Sequence, residues 1–159
     1  MSDILHTPKA PRAVTDGDII LATVDVELSP DQVFRAMNTR DLEVWWGEEG
    51  VYSMTKWFSD LQIGGLWHVE TLLADGKKHP AGGEFLEIEA PHKIVFTRKY
   101  EWDFPLLGQR VTKVTYLADP IPSGTRVTVK HEGFEGLREP AEIHADGWER
   151  VLGWLTKYK

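Results

Sequence analysis

The stretch from residue 19 to residue 37, IILATVDVELSPDQVFRAM, contains a strand, a stop and a helix start. Residues 19–28 are rich in β-branched types. Val24, Val26 and Leu28 fall on one face and Thr23, Asp25 and Glu27 on the other, the alternation of a half-buried strand. Ser29-Pro30-Asp31-Gln32 ends it: Ser29 suits a helix cap, Pro30 the first helical position, and Gln32 the place from which a capping-box side chain reaches back. A short helix follows, with Val33, Phe34 and Met37 toward the core. Thr39-Arg40-Asp41 offers a second cap with Asp41 in the first turn, and Gly47 is placed to end a second short helix after Trp45 and Trp46.

Working outward, strand alternation recurs over residues 54–58, 66–73, 83–89, 93–102, 110–118 and 125–133, with turn chemistry at Asp75-Gly76, Ala90-Pro91 and residues 120–124. Such short connections make successive strands antiparallel neighbours, because a parallel crossover needs a dozen or more residues. Residues 140–158 then show helical periodicity, with His144, Gly147, Trp148, Val151, Leu155 and Tyr158 along one stripe. The expected fold class is α+β, an antiparallel sheet of about six to seven strands curved around a long C-terminal helix, with two short helices after strand one. Residues 1–17, with Pro8, Pro11 and Gly17 in a polar context, read as an extended arm without a core of its own, and residues 18–159 as one domain.

A chain of 159 residues with 42% hydrophobic and 27% charged residues can bury a sizeable core. Its formal charge of −7 and lack of a basic run argue against nucleic acid as a partner. No apolar run is long enough to span a bilayer, so membrane insertion is not expected, and residues 1–18 do not read as a signal peptide. The absence of Cys excludes disulfides and thiolate sites, and the expected location is cytoplasmic.

The order of strand, two short helices, meander and long C-terminal helix resembles the helix-grip fold of START-like (SRPBCC, birch-pollen-allergen-like) proteins. Residues 26–37 resemble the opening of the family named after the activator of the 90-kilodalton heat-shock chaperone ATPase, and residues 42–46 its tryptophan-bearing second helix. Gly64-Gly65-Leu66-Trp67, Gly83-Glu84-Phe85-Leu86-Glu87-Ile88, Ile94-Val95-Phe96-Thr97, residues 128–134 and residues 147–155 continue the likeness in the same order. The resemblance covers residues 19–158 and implies a START-like ligand-binding domain over 18–159, with a hydrophobic cavity between sheet and last helix. It implies as partners a small hydrophobic molecule or a chaperone, in a stress-response setting, for a monomer or homodimer. Carriers, cyclases, hydrolases and chaperone cofactors share this architecture, so fold alone does not fix function.

On the strand from residue 93 to residue 102, Ile94, Phe96, Arg98, Tyr100 and Trp102 share one face, which should point inward. Arg98 among aromatics must pair with a carboxylate, snorkel to an edge or meet an anionic ligand group. His131 alternates with Val127 and Val129 and should face the last helix, where it either ties structure together or orients a ligand. Trp45, Trp46, Trp57, Trp67 and Trp148 lie on separate elements that a grip fold would bring around one space, with Phe34 and Phe85 beside them. Apart from Ile94, these inward candidates, Phe34, Trp45, Trp46, Trp57, Trp67, Phe85, Phe96, Arg98, Tyr100, Trp102, His131 and Trp148, form the expected ligand wall of twelve residues. No catalytic constellation is legible: no serine has a nucleophile elbow, and neither His68-Val69-Glu70 nor His144-Ala145-Asp146 has zinc-peptidase spacing. Of the strand carboxylates only Glu87, on the face of Phe85, would be placed to work inside a cavity. No cofactor is implied. The expected function is binding of a small hydrophobic or amphipathic molecule; the alternatives are a cyclase- or hydrolase-type enzyme using His131 as acid or base, and a chaperone cofactor or protein-interaction module.

Overall fold

The computed structural model describes residues 9–159. Strand β1 (Arg12–Asp16) turns through Gly17 and Asp18 into β2 (Ile19–Val26), which leads to helices α1 (Pro30–Asn38) and α2 (Leu42–Trp45). Seven strands follow: β3 (Gly47–Glu48), β4 (Tyr52–Ser59), β5 (Leu66–Leu73), β6 (Lys78–Glu89), β7 (Lys93–Tyr100), β8 (Thr112–Ile121) and β9 (Gly124–Glu132). Helix α3 (Arg138–Leu155) closes the described chain. All strands pair antiparallel in one sheet, in the order β1-β2-β9-β8-β7-β6-β5-β4-β3.

The stop after β2 works as its residues dictate. Ser29 Oγ accepts the Gln32 N–H at 3.2 Å while Gln32 Oε1 accepts the Ser29 N–H at 2.8 Å, so two orphan donors of α1 are satisfied reciprocally. At the second helix Asp41, expected in the first turn, occupies the cap position without a side-chain cap bond, and the Thr39 hydroxyl accepts the Asp41 N–H at 3.2 Å and donates to the Arg35 carbonyl at 2.7 Å.

The sheet has nine strands where the alternation predicts six or seven. The additional ones are β1 and the two-residue β3, both short and largely exposed, so neither carries the apolar alternation that marks a strand in sequence. Within the stretch read as an arm, residues 12–16 are thus paired to β2, and the Ala13 N–H is held by Glu149 of α3 at 3.0 Å. Strand β6 begins at Lys78, five residues before the expected start, and its first half, with Pro80 and Gly82, lacks the apolar alternation that marks a strand in sequence. Strand β7 ends at Tyr100, and residues 101–111 loop back over the end of the sheet.

Lateral pairing builds an inward row: Phe85 faces Phe96, Phe96 faces Val114, Val114 faces His131, and His131 faces Ile20. All five are buried. Helix α3 packs on β1 and β2, burying Trp148, Val151, Leu152 and Leu155 from the predicted stripe and its neighbours. It stands away from β4 to β7, and that gap is where the interior stays open.

Candidate functional site

Between α3 and the inward faces of β4, β5, β6, β7 and β9 lies a cavity of about 200 Å³. Its floor follows from the period of two on β7, which turns Arg98 and Tyr100 inward after Phe96. Its roof follows from the helical period on α3, where His144, Gly147, Trp148 and Val151 share one face. Tyr52 and Met54 of β4 and Trp46 at the end of α2 form one side, and the loop after β7 contributes Trp102 and Phe104 at the other. Phe104 stacks on Tyr100 at 5.2 Å and 14°, folding the loop against the opening.

His131 is fixed by a chain of hydrogen bonds whose directions are determined. An indole N–H can only donate, so the Trp148 Nε1–H bond of 3.0 Å makes His131 Nδ1 an acceptor and leaves the proton on Nε2. That proton goes to Thr112 Oγ1 at 2.8 Å, and the Thr112 hydroxyl donates to the Arg98 carbonyl at 3.1 Å. Neighbours Val114 and Ile20 offer nothing polar, so the ring depends wholly on this chain. Burial, with help from His144 and the Arg98 charge, holds the His131 pKa well below the usual imidazole value. A second pair sits beside it: His144 Nδ1–H donates to the Pro140 carbonyl at 2.8 Å, and the Tyr100 hydroxyl donates to His144 Nε2 at 2.7 Å. Burial pushes the His144 pKa down to about 4, the Pro140 carbonyl opposing and the Arg98 charge reinforcing the shift.

Arg98 is held by rings. Its guanidinium carbon lies 5.6 Å from the Trp67 ring centre and 5.2 Å from that of Tyr100, and it makes no ion pair with a carboxylate among the described residues. Arg150, one helical turn before Trp154 on the rim, is likewise placed over Tyr52 at 5.5 Å and Trp154 at 5.4 Å. Trp102 stacks on His79 at 3.6 Å and 12°, and its buried Nε1–H has no acceptor among the described residues.

Of the twelve residues expected at the wall, the cavity gathers Trp46, Arg98, Tyr100, Trp102, His131 and Trp148. Trp57, Trp67, Phe85 and Phe96 lie beneath it in packed core, around a void of about 10 Å³, at the lower limit for one water. Trp67 still reaches the site through Arg98, and its Nε1–H is anchored to the Thr97 carbonyl at 3.0 Å. Phe34 borders a separate small void on the α1 side. Trp45 is turned away, its Nε1–H donating to the Ala36 carbonyl at 2.9 Å and its ring packed on Trp46 and Tyr158. Glu87 does not enter the interior either. A bulge at Leu86 between the Phe85–Phe96 and Glu87–Val95 pairs breaks the alternation, and Glu87 emerges to pair with Lys93 at 3.0 Å.

Sequence reasoning did not single out Tyr52, His79, Arg150 or the place of His144 in the cavity lining. His144 carries a legible signal, since it precedes Trp148 by one helical turn on the predicted stripe. Arg150 has none, being an exposed helix residue in a charged run.

Residues 27–159 match the family described as Activator of Hsp90 ATPase homolog 1-like protein. No curated protein matches the chain. Among solved structures, a protein from Chromobacterium violaceum superposes with a TM-score of 0.75 at 25% identity, over 88% of this chain and 96% of that one. A Rhodobacter sphaeroides protein gives 0.79 at 19% identity over 92% and 95%, and the AHSA1-like protein of Aeromonas hydrophila 0.70 at 23% over 88% and 90%. With a family match over most of its length and a sheet curved on a long C-terminal helix, the chain belongs to the family of Activator of Hsp90 ATPase homolog 1-like proteins, within the START/SRPBCC helix-grip superfamily.

Proposed function

We propose that this protein binds a small hydrophobic or amphipathic molecule in the cavity between the sheet and α3. One observation carries the reading: an opening of about 200 Å³ walled mainly by aromatic rings, in an interior that is otherwise closely packed. Protein interiors leave few voids larger than a water, and an apolar cavity of ~150 Å³ suffices to hold benzene. The acid–base alternative receives no support from His131, since both of its ring nitrogens are engaged and neither meets a carboxylate.

Gly147 supplies the test. It lines the cavity, and a Cβ added there would meet nothing within 4 Å. Gly147→Phe should therefore fold normally and fill the space. Native mass spectrometry of gently purified wild type should show a co-bound small molecule, or exchange with an added lipophile, that the variant lacks. Equal adducts on both proteins, or none on either, contradict the reading.

A second reading, a protein-interaction module, draws on Phe58, Ile63 and Leu66, exposed by 58%, 71% and 59% around the β4–β5 connection. If that surface serves a chaperone, Phe58→Ser with Leu66→Ser should abolish any effect of the protein on the purified chaperone's ATPase rate while leaving cavity binding intact.

A further inference from the structure

The charge of the cavity is the reverse of the charge of the chain. The protein carries a formal charge of −7, yet none of the seventeen residues lining the cavity is acidic and two, Arg98 and Arg150, are permanent cations. Most surface cations here are neutralised in pairs, such as Arg126 with Asp25 at 2.8 Å and Arg138 with Glu142 at 2.9 Å. Arg98 and Arg150 have no such partner among the described residues and rest on aromatic faces instead. Burial works against the Arg98 charge, and the groups that favour it are three phenols, Tyr100, Tyr116 and Tyr52, with no carboxylate among them. Three carboxylates beside the site, Glu43, Glu48 and Glu49, line a separate groove that shares Trp46 and Tyr52 with the cavity as its wall.

A half-buried cation without a counter-charge is costly, and cation–π contact offsets only part of that cost. The arrangement is explained if the counter-charge arrives with the ligand. The neutral rings of His131 and His144 do not compete for it, because they are already committed to protein partners. A planar guanidinium matches a carboxylate with two parallel N–H bonds, and a space of about 200 Å³ admits one ring or a short chain beside it.

Resting on the cavity-binding reading above, we propose that the ligand is a small carboxylic acid bound as its anion, its carboxylate seated on Arg98 with Arg150 adding a second positive charge, and its apolar body against Trp46 and Trp148.

The test compares matched pairs at neutral pH by calorimetric titration: benzoate with benzamide, 3-phenylpropanoate with 3-phenylpropanamide, and octanoate with octanamide. For at least one pair, wild type should bind the carboxylate at least about tenfold more tightly than the amide, the ratio that one charge-assisted contact sets. Arg98→Met, which keeps bulk and loses charge, should erase that ratio with amide binding unchanged; Arg98→Lys should restore part of it. The wild-type comparison needs no variant, and the rim substitution Arg150→Met, at an exposed position, should lower the ratio if Arg98→Met fails to fold. Amides that bind as tightly as carboxylates overturn the anion and leave the cavity reading standing. Failure of every compound to bind overturns both.

Discussion

His131 and His144 sit side by side with ring centres 5.4 Å apart, and each is held neutral by donors and acceptors that admit only one tautomer. Replacing His131 by Leu strands the Trp148 indole N–H and removes a donor from Thr112, so stability should fall by about 2–4 kcal/mol, read as a lower urea midpoint at unchanged slope. His144 makes a pH prediction with a definite sign. Its folded pKa of about 4 lies below its ordinary 6.5, so the unfolded chain binds the extra proton first. Its contribution is therefore complete above pH 6.5, shrinks as pH falls toward 4, and stays constant below. The gap of about 2.5 units corresponds to about 3 kcal/mol, and His144→Gln should remove that much of the fall in stability between those pH values in urea titrations. At this scale the sequence was partly legible. A period of two placed Arg98, Tyr100 and His131 on inward faces, because alternation is a property of the strand itself. It did not show that Trp45 turns back to the Ala36 carbonyl, since the rotation of a four-residue helix is set by packing and not by its own sequence. Tyr52 precedes the stretch in which alternation is visible, and Arg150 lies off the apolar stripe, so neither could be assigned to the cavity before the elements met.

Two bulges decide which side chains reach the interior. The β4–β5 register slips by one residue between Thr55 and Phe58, with Lys56 at a φ of 54°, and the freed Trp57 N–H is held by the Glu43 carboxylate at 2.8 Å. This turns Trp57 inward to stack on Trp67 at 5.6 Å and leaves Phe58 outside. The bulge at Leu86 does the opposite for Glu87. Neither slip is written in hydrophobic alternation, which assumes an unbroken pairing. Gly83 of β6 is a position where only glycine fits: a Cβ there would lie 1.8 Å from the Thr97 carbonyl oxygen and 2.7 Å from Trp67 Nε1. Glycine is what lets the indole reach that carbonyl beneath Arg98. Gly83→Ala should cost more than about 2 kcal/mol and red-shift tryptophan emission as Trp67 loses its anchor, measured by thermal melting and fluorescence. By contrast the capping box at Ser29 was readable in full and the stripe of α3 as far as Leu155, because both depend on residues close in sequence; the helix runs from Arg138 to Leu155, so Tyr158, expected on the stripe, lies beyond its end.

At the scale of the whole molecule, the sheet and α3 meet closely at β1 and β2 and diverge toward β4 to β7, so a single fold gives both a packed core and an opening lined by rings and guanidinium groups. The order of elements made the sheet curved on a long C-terminal helix legible from sequence. The separation of the twelve expected wall residues into six at the cavity and the rest in core was not, because it depends on where the helix stands off the sheet. The seven tryptophans now serve as reporters of that division. In a nitrogen–proton correlation spectrum of the indole N–H groups, titration with 3-phenylpropanoate should displace the signals of Trp46, Trp102 and Trp148, which line the cavity. Those of Trp45, bound to Ala36, and Trp154, bound to Glu48, should stay in place. Saturable shifts confined to the first group are the result expected of a ligand-binding cavity between sheet and helix; no shift at any concentration, or shifts centred on Trp45 and Trp154, would contradict it.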